Sequence, residues 1–251
     1  MTATTGPRLS AAIITRDEAA DLPDCLASLA FCDEIVVVDS GSTDATVAIA
    51  EAAGAVVRVT DWPGFGVQKQ RAIDLASGDY VLVVDADERI PADLAAEIRA
   101  AIAAPGDVVG WQINRRSTFL GRFLLHGGWY PDFTLRLARR SAARFTTDPV
   151  HERLEVAGPV ARLAVDMVHH SYRSIDEVLD KGRRYALASA EVRRRRGARG
   201  GLLSAILRAE WAFLRHYLFK AGFRDGAHGF VAALAKAQET FWRWLAVGWE
   251  R

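Results

Sequence analysis

Through the first hundred residues, short apolar runs alternate with stretches in which apolar positions recur every three or four residues. LSAAII (9–14) is one such run, and Leu22, Cys25, Leu26 and Leu29 after it carry helical spacing. EIVVVD (34–39) reads as a buried strand, β-branched and closed by an acid, and AVVRV (55–59) and DYVLVVDAD (79–87) read as two more. GSTD (41–44) offers turn and capping residues to a helix beginning near Ala45. Further helices are predicted over 66–77 and from Pro91, suited to a first helical turn, through Ala104. Nearly continuous apolar strands alternating with helices predict an α/β fold, with a mostly parallel sheet covered on both faces. Ligands on such sheets bind beyond the carboxyl ends of the strands, here residues 15–18, 39–44 and 85–88.

The rhythm changes after residue 104. WQINRR (111–116) and FTLRLARR (133–140) read as strands around a Gly- and aromatic-rich loop, GRFLLHGGWYPD. From residue 175 the pattern is helical, with helices expected over 175–196, 202–221 and 226–247, broken at GARGG (197–201) and around Gly222–Gly226. The expected division is a domain of residues 1–174 and a helical region of 175–251. Half of the 251 residues are hydrophobic, enough for a sizeable core without staples. Only Cys25 and Cys32 are present, which argues against a disulfide scaffold or a four-cysteine zinc site. The first fifteen residues lack the basic-then-apolar order of a secretory signal, and no charge-free apolar stretch is long enough to span a bilayer. The cytoplasm is the expected compartment.

Charge adds an asymmetry. Residues 1–174 hold 17 basic and 23 acidic side chains, a net of −6, whereas 175–251 hold 15 and 8, a net of +7. A basic tail on an acidic body suggests an anionic partner for the tail, or attraction between the halves.

The sharpest motif is D-A-D at 85–87. Two carboxylates at the end of a buried strand suit Mg²⁺ or Mn²⁺, which also hold phosphate oxygens. The plain alternative is that Asp87 or Glu88 caps the helix near Pro91. VVVDSGSTD (36–44), an acid followed by a Gly/Ser turn, suggests a nucleotide crevice in which Asp39 accepts from base or ribose, or else ordinary capping. Thr15, Arg16 and Glu18 of ITRDE could line the same crevice.

In order, IITRDE, VVVDSGSTD, GFGVQKQRAID and GDYVLVVDADE resemble glycosyltransferase family 2, the inverting nucleotide-sugar transferases of GT-A fold. The resemblance implies that Thr15, Arg16, Glu18, Asp39 and Ser40 contact the nucleotide. It sets Gln68, Lys69 and Arg71 toward the donor sugar and diphosphate, Asp85 at ribose or metal, and Asp87 on the metal. Many members have Asn where this chain has Arg71. GGWYPDFTLRLARRSAARF and DPVHERLEV resemble the family's acceptor-side region in a bacterial subgroup with a V-H-E motif. That implies Glu152 as the base that deprotonates the acceptor hydroxyl, with Asp132 as runner-up. Trp129 and Tyr130 would stack on a sugar, and Arg136 would meet the diphosphate. His169, in H-x-S-Y-R-S spacing, would be a third metal ligand, where a lone His pair more often has a structural role.

Trp211, Trp242, Trp244 and Trp249 crowd the last 41 residues, and EVRRRRGAR precedes them. Leu203, Leu207, Trp211, Leu214 and Leu218 form one helical stripe. Such helices suit an anionic membrane surface, the catalytic domain or a second subunit. YALASAEVRRRRG and the segment from Tyr217 resemble the lipopolysaccharide-core β-1,4-glucosyltransferase subgroup. The resemblance implies a UDP-glucose-type donor, a glycolipid acceptor and peripheral attachment to the cytoplasmic face of the inner membrane. A sugar-nucleotide pyrophosphorylase needs a Gly-rich loop that ITRDEAADLP lacks. A non-enzymatic module built on arginines 193–196 is the other rival, but no nucleic-acid recognition motif accompanies them, so nucleic acid is not an expected partner.

Overall fold

A computed structural model describes residues 6–146 and 152–249. Val150 and His151 of the V-H-E motif lie outside the described residues. The strands are β1 (Leu9–Thr15), β2 (Glu34–Asp39), β3 (Val56–Val59), β4 (Tyr80–Val83), β5 (Glu88–Arg89), β6 (Gly110–Phe119), β7 (Arg122–Phe123), β8 (Phe133–Arg139), β9 (Arg144–Phe145), β10 (Leu154–Glu155), β11 (Val160–Arg162) and β12 (Met167–Tyr172). The helices are α1 (Leu22–Ser28), α2 (Thr46–Ala52), α3 (Phe65–Leu75), α4 (Ala92–Ala103), α5 (Ile175–Arg195), α6 (Leu202–Leu214) and α7 (Gly226–Trp249). Two compact units form, Met1–Arg115 with Phe133–His169, and Arg116–Asp132 with His170–Arg251. The Gly- and aromatic-rich loop, grouped by sequence with the first domain, therefore clusters with the helices.

In the first unit, β3, β2, β1 and β4 lie side by side and parallel, and β8 then runs antiparallel between β4 and β6. Side chains alternate across this sheet as strand geometry requires. Leu9, Ala11, Ile13 and Leu82 pack with Leu22 and Leu26 of α1, Ala50 of α2, and Leu94 and Ile98 of α4. Ala12, Val36, Val38, Val81 and Val83 pack with Ala72 and Ile73 of α3. Both faces are thus covered, which explains the nearly continuous apolar runs. Truncating a fully buried leucine such as Leu82 to alanine should cost about 2–5 kcal/mol.

Parallel pairing brings the strand ends together, since Thr15 stands opposite Asp39 in the register. Several predicted boundaries shift. Pro91 takes the N-cap position of α4 rather than its first turn, and α3 ends at Leu75 because Ala76 is extended. The short pair β9–β10, and β7 beside β6, were not legible as strands.

In the second unit, α5 begins after Ser174, whose Oγ accepts from the Glu177 N–H at 3.2 Å. α5 and α6 both pack on α7. The single helix expected over 202–221 is interrupted: α6 ends at Leu214, a π-helical turn covers Arg215–Phe219, and Ala221 turns left-handed at φ 57°. No helix among the described residues is long and apolar enough to cross a membrane.

Candidate active site

Asp39 organises the ends of β1 and β2. One of its oxygens accepts from the N–H groups of Gly41 (2.9 Å) and Ser42 (2.8 Å). The other accepts from the hydroxyls of Thr15 (2.8 Å) and Ser42. A carboxylate offers about four acceptor positions, and the chain's own donors take four here. A nucleotide hydroxyl or N–H reaches Asp39 only by displacing one of them. Asp17, which the sequence reading passed over, stitches the same loops. It sits left-handed at φ 55°, gives its N–H to Ser42 Oγ at 2.8 Å and accepts from Thr43 N at 2.7 Å. The Glu18 N–H donates to Thr46 Oγ1 at 2.7 Å. Arg16 is exposed beside this frame.

On the other side of Ser40, fully buried Gln68 donates to Ser40 Oγ and to Thr60 Oγ1, both at 2.9 Å. Its carbonyl accepts from Arg71 at 3.1 Å, and Arg71 also pairs with Asp61 at 2.7 Å. The Gly/Ser turn and the start of α3 are therefore one hydrogen-bonded assembly.

Beyond β4, Asp85 is held by two cations: Lys69 Nζ at 3.0 Å and the Arg136 guanidinium at 2.8 Å. Arg136 also pairs with Glu88, which is fully buried, returns a carboxylate oxygen to the Asp85 N–H at 2.9 Å, and has Arg115 at 3.7 Å. Burial pushes the Asp85 carboxyl up, but Arg136 and Lys69 outweigh it and hold the group well below the usual carboxylate range. At Glu88 burial prevails over Arg136, helped by the charge of Asp85, and the carboxyl is raised. Arg136, expected to face a diphosphate, is instead enclosed between these two acids at 5% exposure.

Lys69 also reaches Glu152, with Nζ 3.5 Å from Oε1. Glu152 is carried to this position by the β9–β10 pair, where Thr146 and Arg153 exchange hydrogen bonds at 3.0 Å. Gly66 lets α3 come close, because a Cβ there would lie 2.0 Å from Thr146 O and 3.4 Å from Glu152 Cβ. Asp87 Oδ2 lies 3.4 Å from His169 Nε2, so these two predicted metal ligands are brought together. Among the described residues no three His, Cys, Asp or Glu side chains cluster as a metal group. One carboxylate and one imidazole fit an ion that also takes substrate phosphate oxygens. Buried Cys25 stands behind Asp85, with its thiol pushed up to about 12, chiefly by burial.

Trp129, Tyr130 and Asp132 belong to the second unit. Trp129 is half-buried and packs edge-on against Phe119 (5.5 Å) and Tyr172 (5.9 Å).

The glycosyl transferase family 2 model matches residues 10–153, more than half of the chain. The lipopolysaccharide core biosynthesis glycosyltransferase LpsC of Rhizobium meliloti is 33% identical over 93% of this chain and 89% of its own length. An uncharacterized glycosyltransferase of Rickettsia felis is 30% identical over 94% of this chain and 88% of its own length. The crystal structure of glucosyl-3-phosphoglycerate synthase from Mycobacterium tuberculosis, in complex with Mn²⁺, UDP and glucosyl-3-phosphoglycerate, is 27% identical. That likeness covers 44% of this chain and 45% of that one, with a TM-score of 0.39. The chain is a glycosyltransferase with a GT-A-type α/β sheet and C-terminal helices. It belongs to glycosyl transferase family 2.

Proposed function

We propose that the protein is an inverting transferase that moves a sugar, glucose in the first instance, from UDP to a lipopolysaccharide-core or similar glycolipid acceptor. The observation that carries this reading is Lys69, whose single ammonium meets both Asp85 at 3.0 Å and Glu152 at 3.5 Å. It ties the donor-side acid of the D-A-D strand end to the acid of the acceptor-side motif. The acceptor hydroxyl attacks the anomeric carbon in line as the bond to the diphosphate oxygen breaks, and Glu152 takes the hydroxyl proton. Lys69 contributes positive charge beside the leaving diphosphate. Arg136 acts through Asp85, fixing the carboxylate's orientation, rather than by touching the donor. Asp87 and His169 would hold Mg²⁺ or Mn²⁺, which supplies Lewis-acid stabilisation of diphosphate charge. Asp39, Gln68 and Ser40 shape the loop on which the nucleotide lies, with Thr15, Arg16 and Glu18 beside it. Trp129 and Tyr130 are read as acceptor-side residues from their motif alone.

The acceptor class rests on the LpsC relative and on the character of the second unit. Leu203, Leu207, Trp211, Leu214 and Leu218 of the predicted stripe are all exposed. A basic segment beside an exposed Trp/Leu stripe supports docking on the anionic cytoplasmic face of the inner membrane. The decisive test compares Glu152→Gln with Asp132→Asn. Glu152→Gln should bind UDP as tightly as the parent and turn over at least about 100-fold more slowly, within the usual range for loss of a general base. An active Glu152→Gln beside an inactive Asp132→Asn would transfer the base to Asp132.

A further inference from the structure

Within the second unit, the loop of residues 124–132 is fastened to the junction between α6 and α7. That junction consists of the π-helical turn over Arg215–Phe219, left-handed Ala221 and a short 3₁₀ turn over Gly222–Asp225. Asp225 holds His126 twice: one oxygen accepts from its backbone N–H at 2.9 Å, and the other meets its Nδ1 at 2.8 Å. The next residue is held from both sides. The Gly127 N–H donates to Lys220 O at 2.8 Å, and His216 Nδ1 meets Gly127 O at 2.7 Å. A carboxylate and a carbonyl oxygen only accept, so each imidazole presents Nδ1–H to its partner.

Glycines permit this close approach. A Cβ on Gly222 would lie 2.6 Å from His216 O and 3.4 Å from Gly127 Cα. Gly128, left-handed at φ 83°, leaves the space that Lys220 Nζ occupies, since a Cβ there would lie 2.4 Å from it. The anchored residues stand in mid-loop, immediately before Trp129 and Tyr130. The Trp129 N–H donates to His126 O at 3.1 Å, which ties the tryptophan backbone directly to the clamped residue.

A connection that only joins two elements needs its ends fixed, and its middle is free to move. Here four hydrogen bonds converge on two mid-loop residues, at the entropic cost of ordering both histidine side chains. Binding residues on loops gain affinity when the scaffold sets them before the ligand arrives. We propose that His126, Asp225 and His216 are positioning residues for the acceptor: they fix the loop so that Trp129 and Tyr130 stand ready for the sugar, without touching it themselves. This role rests on the reading of Trp129 and Tyr130 as acceptor-side residues.

The test uses the full-length protein with UDP-glucose and core-truncated lipopolysaccharide dispersed in detergent. His126→Leu and His216→Leu each remove an Nδ1 donor, and His126→Asn and His216→Asn return an N–H₂ near the same place. The leucine variants should raise the acceptor KM about tenfold or more, as a misplaced binding group does, with the UDP-glucose KM unchanged. The asparagine variants should recover most of that loss. A variant that had merely lost folded protein would lower kcat and leave both KM values alone. Amide hydrogen exchange should show Gly127 and Trp129 opening faster in the leucine variants, with β1 to β4 as slow as in the parent. Trp129→Ala should raise the acceptor KM as well. If it does and both leucine variants keep the parent's KM, or if asparagine is as damaging as leucine, the positioning role is overturned. If Trp129→Ala keeps the parent's KM, or the parent transfers nothing to this acceptor, the acceptor-side reading has itself failed and the positioning role falls with it.

Discussion

Replacing Arg136 by methionine removes the guanidinium that Asp85 and Glu88 share. Breaking a buried ion pair by deleting one partner costs about 3–5 kcal/mol. Asp85 is partly exposed and keeps Lys69 at 3.0 Å, while Glu88 keeps Arg115 at 3.7 Å and the Asp85 N–H at 2.9 Å. These residual partners place the expected loss at the low end, about 3 kcal/mol at pH 7. For a chain of this size that lowers Tm by about 6–12 °C. The pH dependence carries the sharper signature. Burial already raises the Glu88 carboxyl, and without Arg136 the main opposing influence is gone, so it rises further. A carboxyl raised in the folded state holds a proton that the unfolded chain, titrating near about 4.3, has released. Folded protein then binds more protons than unfolded, so the variant's stability falls as pH rises between those two values and recovers on acidification. In the parent, the depressed Asp85 contributes stability that is complete above the ordinary carboxylate range and is lost only as pH falls through its folded value. The parent's Asp85 contribution is therefore intact at pH 5. Urea unfolding at pH 7 and pH 5 should show the deficit narrowing by about 1–2 kcal/mol. A deficit under about 1 kcal/mol, or one equal at both pH values, would refute the enclosed Arg136–Asp85–Glu88 group.

Three further outcomes are expected. Asp87→Ala should abolish transfer, and the thermal shift produced by UDP should lose its dependence on Mn²⁺; a metal-dependent shift that survives would clear Asp87 of the ligand role. Gly66→Ala sets a Cβ against Thr146 O, so it should cost about 1–3 kcal/mol by overpacking and lower kcat while nucleotide binding persists, because Glu152 rides on the displaced segment. Asp39→Asn puts an N–H₂ where a carboxylate oxygen now accepts from two donors, and the urea midpoint should report a loss of about 1–3 kcal/mol.

The elements that the sequence made legible are those buried on both faces. β1, β2 and β4 carry unbroken apolar runs because helices cover both sides of them, and their ends follow directly, which is why Thr15, Asp39 and Asp85 could be named as crevice residues. Helical periodicity marked α5 as well, and the Ser174 cap on the Glu177 N–H fixes its start in the structure. Two-residue strands such as β9 and β10 have no period to detect, so the pair that delivers Glu152 left no trace beyond its motif. The second unit was misjudged at 116–132 for a related reason. Phe119 and Trp129 join Tyr172 across more than forty residues of chain, and nothing local announces such an encounter. The same limit explains why Arg136 was taken for a diphosphate ligand. Its residue type suits an anion, but which anion it meets depends on Glu88, 48 positions away and named in the sequence only as an alternative helix cap. Residue type and strand-end position therefore identify groups that can touch a substrate. Which partners each of those groups keeps inside the chain, as Arg136 keeps Asp85 and Glu88, is decided by fit across the fold and is visible only in the assembled geometry.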